Sequence, residues 1–202
     1  MPEKMCGRYY IDDETVREME RIVRSLDARL PEPPSAPKAD VYPAQRGTVI
    51  RAREGKCEVQ SMKWGFPGFQ KKGVIFNARS EGVLEKRMFQ ESARNRRCIV
   101  PARGFYEWDR AKNKVSYERR DGQLLYMGGI WNCYGGEDCF VILTTQANDS
   151  VSDVHDRMPL VLEEGEVSSW LLDEGSLEFL LHKVPTPLQR VSGFVQQTLP
   201  FL

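Results

Sequence analysis

The sequence predicts an α+β fold: a barrel-like, mainly antiparallel curved sheet with peripheral helices. Three observations carry that prediction. Short β-prone runs separated by turn residues recur from Thr48 to Thr145. Helical spacing is confined to the N-terminal segment, a short stretch at 80–93 and the region 168–184. The chain has 202 residues, 41% of them apolar, and a chain of that size buries about 70% of its unfolded surface, enough for one core. Many strands with few helices belong to the α+β class, and residues 1–202 read as a single domain.

The first element is a helix over 13–30. Val16, Met19, Ile22, Val23, Leu26 and Leu30 form one stripe on it, and Asp12 or Asp13 caps its start. Five prolines between Pro31 and Pro43 exclude a helix interior or a central strand. That stretch reads as an ordered loop in which Val41 and Tyr42 can pack. Strands follow at 48–53, 57–64, 97–101, 104–109, 115–119, 124–133 and 138–145. Asp121-Gly122, between the fifth and sixth, is a hairpin signal. Residues 80–93 read as a short helix carrying Val83, Leu84, Met88 and Phe89, and 168–184 as two more. No repeat or low-complexity tract interrupts the chain.

Composition excludes several classes. No apolar run reaches the ~18–20 residues of a membrane-spanning helix, and MPEKMCGRYY lacks the apolar core of a secretion signal. Five cysteines, an odd number, do not form a disulfide framework. Neither CxxC nor HxxxH occurs, and the phosphate-loop and dinucleotide motifs are absent, so no metal and no cofactor is expected. The expectation is a soluble, monomeric, cytoplasmic protein with no membrane partner, nucleoid-associated in a bacterium. Lys+Arg and Asp+Glu balance at 29 each, yet residues 46–120 carry a net +11 and the remainder −11. Either that middle third presents a basic face to a polyanion, or the charges intermix on folding.

Four polar residues sit in apolar or glycine-marked contexts: Cys6, Asn77, Glu107 and His155. In GFYEW, alternation puts Phe105 and Glu107 on one face and Tyr106 and Trp108 on the other. Glu107 is either a partly desolvated general acid or an edge-strand carboxylate paired with an arginine. His155 suits proton transfer or a structural role. Asn77 positions a ligand or closes a turn. Arg79, with Arg51, Arg53, Arg96, Arg97 and Arg103, offers planar forks to phosphates. Trp64, Phe66 and Phe69, interleaved with Lys63, either stack on bases or belong to the core.

With these residues in view, the chain resembles the SOS-response-associated peptidase (SRAP) family, whose members crosslink to abasic sites in single-stranded DNA. The matching blocks are CGRY at 6–9, WGF at 64–66, NARSE at 77–81, RRCIVPARGFYEW at 96–108 and HDRMPLVL at 155–162. The resemblance implies Cys6 as nucleophile, with Asn77, Glu107 and His155 in the active site. It also implies DNA contacts at Pro43, Arg79 and Arg157, a pocket role for Thr144 and a mixed fold around a barrel-like sheet. Its partner is then single-stranded DNA containing abasic sites. Two further readings use the same residues: a cysteine peptidase acting on itself, and a non-catalytic module that binds modified-base DNA.

The chemistry of an N-terminal cysteine agrees with the resemblance. Its amine and thiol close a thiazolidine on an aldehyde, which an internal cysteine, whose nitrogen is an amide, cannot do. Here Cys6 follows MPEK and Met5, so residues 1–5 read as a removable leader or an added extension. Either Met5 is the true start and is excised, or the chain cleaves its own Met5–Cys6 bond, or the leader persists and blocks crosslinking. Asp40, where the family usually has Asn, is a second departure, since an acid there repels phosphate.

Overall fold

The computed structural model describes residues 7–26, 39–53, 55–68 and 72–191. Five strands close a barrel. They are β3 (Arg46–Arg53), β4 (Lys56–Trp64), β8 (Arg97–Ala102), β11 (Leu125–Tyr134) and β12 (Glu137–Gln146). The ring runs β12–β4–β3–β8–β11 and back to β12. Every pairing in it is antiparallel except β12 with β4, which meet in parallel through Cys139 opposite Lys63 and Phe140 opposite Trp64. The β11–β12 hairpin turns through Gly135 and Gly136, both at positive φ (61° and 84°). Left-handed residues at both positions match the twist of the flanking strands.

A second, five-stranded antiparallel sheet has the order β15–β10–β9–β1–β2. It comprises β1 (Tyr9–Ile11), β2 (Ala39–Val41), β9 (Gly104–Trp108), β10 (Lys114–Arg119) and β15 (Leu188–Val191). Two-residue alternation along the barrel strands feeds two cores. Val49, Cys98, Val100, Phe140 and Ile142 pack with Tyr9, Phe105 and Tyr117 of the second sheet. Their neighbours Ile50, Ile99, Val141 and Leu143 pack with the helices α1 (Asp13–Leu26), α2 (Gln90–Asn95) and α3 (Glu164–Leu172) through Met19, Ile22, Ala93 and Trp170. A short α4 (Leu177–Leu181) follows α3, and β5 (Phe66–Pro67) pairs with β6 (Val74–Ile75) as a separate two-stranded ribbon.

The α+β class, the curved antiparallel sheet and its barrel-like closure are therefore as the sequence predicts, and α1 begins where Asp12 caps it. The Thr15 N–H donates to Asp12 Oδ1 at 2.8 Å, and the Asp12 N–H to Thr15 Oγ1 at 3.2 Å. Residues 27–38, with the end of the expected helix and most of the proline-rich loop, lie outside the described residues, as do Cys6 and Phe69. Four local expectations are corrected. Asp121-Gly122 does not form a hairpin: β10 pairs with β9 and β15, while β11 pairs with β8, β12 and a short β14 (Val161–Leu162), so this turn joins two sheets. Residues 80–93 are α-helical only at their end, where α2 begins at Gln90; before it come a 3-10 turn at Ser80–Gly82 and further turns, from which Val83 and Phe89 reach the core. The proline-rich stretch ends in β2, which pairs with β1 and buries Val41. Finally, α3 starts at Glu164, ahead of the expected 168, behind a capping box of Glu163 and Glu166.

Candidate active site

The barrel strand β12 runs beyond the ring, and its last residues carry a short strand on each edge. On one edge β7 (Asn77–Arg79) pairs in parallel, with Ile142, Leu143 and Thr144 opposite Asn77, Ala78 and Arg79. On the other, β13 (Arg157–Pro159) pairs antiparallel, with Arg157 opposite Gln146. Between them opens a cleft of about 870 Å³, and Asn77, Arg79, Thr144, His155 and Arg157 all line it. Five residues singled out from the sequence are thus brought to one place by β7, β12, β13 and the turn that leads into β13.

Each is held by identifiable contacts. The residue before Asn77 is fixed because the Phe76 carbonyl accepts from Trp64 Nε1 at 2.9 Å and from the Ile142 N–H at 3.1 Å. Thr144 is buried and donates Oγ1 to the Ala78 carbonyl at 3.3 Å, tying β7 to β12. His155 Nδ1 lies 3.0 Å from the Arg157 backbone N–H, and Asp156 Oδ1 lies 3.0 Å from the same nitrogen. The two contacts ask for opposite protonation. Asp156 is largely exposed and screened by water, so the backbone hydrogen bond prevails and assigns the ring proton to Nε2. That Nε2 is buried and has no hydrogen-bond partner among the described residues. Arg79 is exposed at the rim.

Glu107 does not line the cleft. It is 2% exposed and lies on β9, which is the middle strand of its sheet, so the edge-strand alternative falls. Its connection to the cleft runs through the N-terminal segment. Tyr9 lies opposite Phe105 and Tyr10 opposite Gly104, and the Tyr106 N–H donates to the Arg8 carbonyl at 3.0 Å. Continuing that register by two residues sets Gly7 across from Glu107. A Cβ on Gly7 would lie 4.0 Å from the Phe76 ring, one residue from Asn77. Gly7, the residue after Cys6, thus stands between Glu107 and the Phe76–Asn77 wall.

Of the two readings left open for Trp64, the structure selects the core over base stacking. Trp64 is 0% exposed, with its ring against Tyr9, Phe76 and Phe140. It has no face to offer a base and instead props the strand that carries Asn77. Phe66 is equally buried. Pro43 is half-buried in the turn after β2. Beside it lies a cluster that the sequence did not single out. The Arg8 guanidinium sits over the rings of Tyr42 (4.4 Å), Trp108 (5.3 Å) and Tyr106 (5.7 Å). Asp40 pairs with Arg8 at 3.4 Å and accepts from the Tyr106 hydroxyl at 3.2 Å. The acid expected to repel phosphate is therefore neutralised within the protein. The alternation that put Tyr106 and Trp108 on one face was the available signal for this cluster. Burial first, then Asp40, pushes the Tyr106 phenol up to about 12.

Glu81 is a second residue the sequence did not single out. It pairs with Arg157, which lines the cleft, with Nη1–Oε1 at 2.7 Å and Nη2–Oε2 at 2.8 Å. Burial alone would raise its carboxyl, but the Arg157 hydrogen bonds and charge, with Arg79 nearby, outweigh that and hold it below its usual value. Among the described residues no group of three His, Cys, Asp or Glu is placed to hold a metal ion, and no helix is long and apolar enough to cross a membrane.

Comparison with known proteins places this geometry among relatives. The profile of a family described as SOS response associated peptidase (SRAP) matches residues 5–196. The chain is 32% identical over 181 residues to the abasic site processing protein YoqW of Bacillus subtilis (strain 168), covering 83% of this chain and 80% of that one. It is 28% identical over 179 residues to the abasic site processing protein YedK of Escherichia coli (strain K12), covering 84% and 81%. A crystal structure of a protein from Bordetella bronchiseptica shares the fold with a TM-score of 0.71 at 27% identity, over 92% of this chain and 98% of that one. One from Bacteroides thetaiotaomicron gives 0.72 at 26%, over 92% and 90%.

Proposed function

The chain belongs to the SOS response associated peptidase family, and from that premise we propose that it processes abasic sites in single-stranded DNA by forming a covalent thiazolidine through Cys6. The observation that carries the reading is the position of Gly7. The residue that follows Cys6 lies against Phe76 and, by strand register, across from buried Glu107, so the described chain begins, at Gly7, between an acid and the wall of the cleft that holds Asn77 and His155.

An abasic deoxyribose is mostly a closed hemiacetal and must open before its aldehyde reacts. Glu107, buried and carboxylic, is the group for that proton transfer. The Cys6 α-amine, whose ordinary pKa of about 7.7–8.0 leaves a neutral fraction at pH 7, attacks the aldehyde carbon. Loss of water gives an imine, and the Cys6 thiol adds to the imine carbon to close a five-membered ring. His155, with its proton on Nε2, protonates the sugar oxygen or assists imine formation. Asn77 orients the amine or the sugar. Arg79, Arg157 and Pro43 contact the DNA strand, and Thr144 holds the cleft floor. The reaction needs an unacylated Cys6 nitrogen and hence a chain without residues 1–5.

The test is to incubate protein that begins at Cys6 with a single-stranded oligonucleotide containing one abasic site and to measure the intact complex by mass spectrometry. The expected product weighs the sum of the two less one water. Cys6→Ala is expected to abolish the adduct and retain binding of intact DNA; an adduct of unchanged yield refutes the role of Cys6. Steady turnover of peptides in trans would instead favour the peptidase reading.

A further inference from the structure

Arg157, at the start of β13, lines the cleft, and Glu81, in the 3-10 turn after β7, pairs with it directly. Their pairing is bidentate, and Arg157 Nη2 also donates to the Thr144 carbonyl at 2.6 Å. The fork of the guanidinium is thereby occupied. Of the guanidinium's other donors, Nε–H is buried and has no partner among the described residues, and the same is true of His155 Nε2. Two buried donors two residues apart thus lack acceptors, on a segment that lines the cleft. Buried N–H groups left unpaired are costly, and each calls for an acceptor oxygen.

We propose that Glu81 is a positioning residue for DNA binding: it locks the Arg157 fork so that Nε–H, beside His155 Nε2–H, faces a phosphodiester oxygen of the bound strand, and it stays in place when DNA binds. The identity of the ligand rests on the function proposed above. The opposing arrangement has phosphate displace Glu81 from the fork. Displacement would leave a carboxylate facing the incoming phosphate and would remove Arg157 from the partner that fixes its plane. The two arrangements predict opposite signs when the carboxylate is removed. Under displacement, its loss tightens binding and steepens the salt dependence. Under positioning, it weakens binding, because a freed guanidinium has to be ordered by the ligand.

The experiment measures anisotropy of a labelled, undamaged oligo-dT strand over a range of salt concentrations. The proteins are wild type, Glu81→Gln, Glu81→Ala, Arg157→Ala and the double variant Glu81→Ala/Arg157→Ala, each with its melting temperature. Glu81→Gln keeps the shape and one acceptor oxygen and is expected to bind about threefold weaker; Glu81→Ala is expected to bind about tenfold weaker. The slope of log K against log salt falls by about 0.7 if one phosphate contact is lost. In the Arg157→Ala background, removing Glu81 has no further effect. Tighter or unchanged binding by either Glu81 variant, or effects that simply add, overturns the proposal. Should Glu81→Ala fail to fold, Glu81→Gln decides alone. Undamaged DNA forms no adduct, so failure of the crosslinking reading leaves this test intact, whereas a wild-type protein that binds no single strand overturns it.

Discussion

Replacing Trp64 with Phe separates a core residue from a base-stacking one. The indole is fully buried, with ring centroids 5.1 Å from Tyr9, 5.8 Å from Phe76 and 6.2 Å from Phe140. Phe retains the six-membered ring but loses the pyrrole edge and the N–H donated to Phe76 at 2.9 Å. The lost buried surface and residual cavity cost about 1–2 kcal/mol. The lost hydrogen bond adds about 1 kcal/mol, with no orphan penalty, because the Phe76 carbonyl keeps the Ile142 N–H. A total of about 2–3 kcal/mol, roughly 5–10 °C in melting temperature for a chain of this length, is expected by urea and thermal denaturation. The functional effect follows from Asn77 coming directly after Phe76. A shift near 1 Å in a positioning group can cost ~100-fold, so adduct formation with an abasic oligonucleotide is expected to slow at least ~10-fold while affinity for undamaged single strands changes little. A stable variant with sharply weakened DNA affinity would mean that the ring meets a base after all. A destabilised variant with an unchanged adduct rate would mean that Trp64 does not set Asn77.

Three further outcomes are expected. Glu107→Gln removes a proton donor while preserving its shape, and single-turnover adduct formation should fall by ~10²–10⁴ with DNA affinity retained; equal rates remove Glu107 from the chemistry. Glu163 is pushed up by burial but pulled further down by the Thr186 hydroxyl, Arg119 and Lys183, so its folded pKa is depressed. The stability it contributes is complete above the unfolded carboxyl's value of about 4.3 and is lost as pH falls through the folded value. Wild type should therefore lose more melting temperature on acidification below that point than Glu163→Gln, and parallel curves would show that Glu163 contributes nothing. Asp40→Asn removes one of the two leading causes that raise Tyr106 and frees the Arg8 charge. Phenolate absorbance should then titrate lower, and DNA should bind more tightly; an unmoved titration would place Asp40 away from Tyr106 in solution.

The strands were legible because alternation is local: Val49 and Ile50, or Cys98 and Ile99, declare opposite faces from sequence alone. Closure of the barrel was legible only in outline. It depends on a two-residue parallel contact of β12 with β4, for which no local chemistry signals the partner. Asp121-Gly122 shows the same limit: the dipeptide does form a turn, but strand partners are chosen by the whole sheet, and its flanks pair elsewhere. Within the site, Asn77 and His155 stood out because polar residues in apolar contexts are few and need partners. Trp64 misled because an aromatic beside a lysine has the same spacing in a core as in a stacking platform. Glu81 ends the matching NARSE block but drew no role of its own, since an acid in a turn reads as solvated and its partner lies 76 residues away.

The mechanical consequence lies in β12. Its first part closes the barrel against β11 and β4, and its last part carries β7 and β13. Any change that slides β12 moves both walls of the cleft together, so Asn77, Thr144 and Arg157 keep their mutual geometry. Glu107 belongs to the other sheet, and the Gly7–Arg8 segment lies between it and the cleft wall. Changes that destabilise the second sheet should therefore disturb the proton transfer assigned to Glu107 before they disturb DNA binding by the cleft. Crosslinking should fail at lower denaturant than binding does, and loss of both in one transition would show that the two sheets form a single cooperative unit.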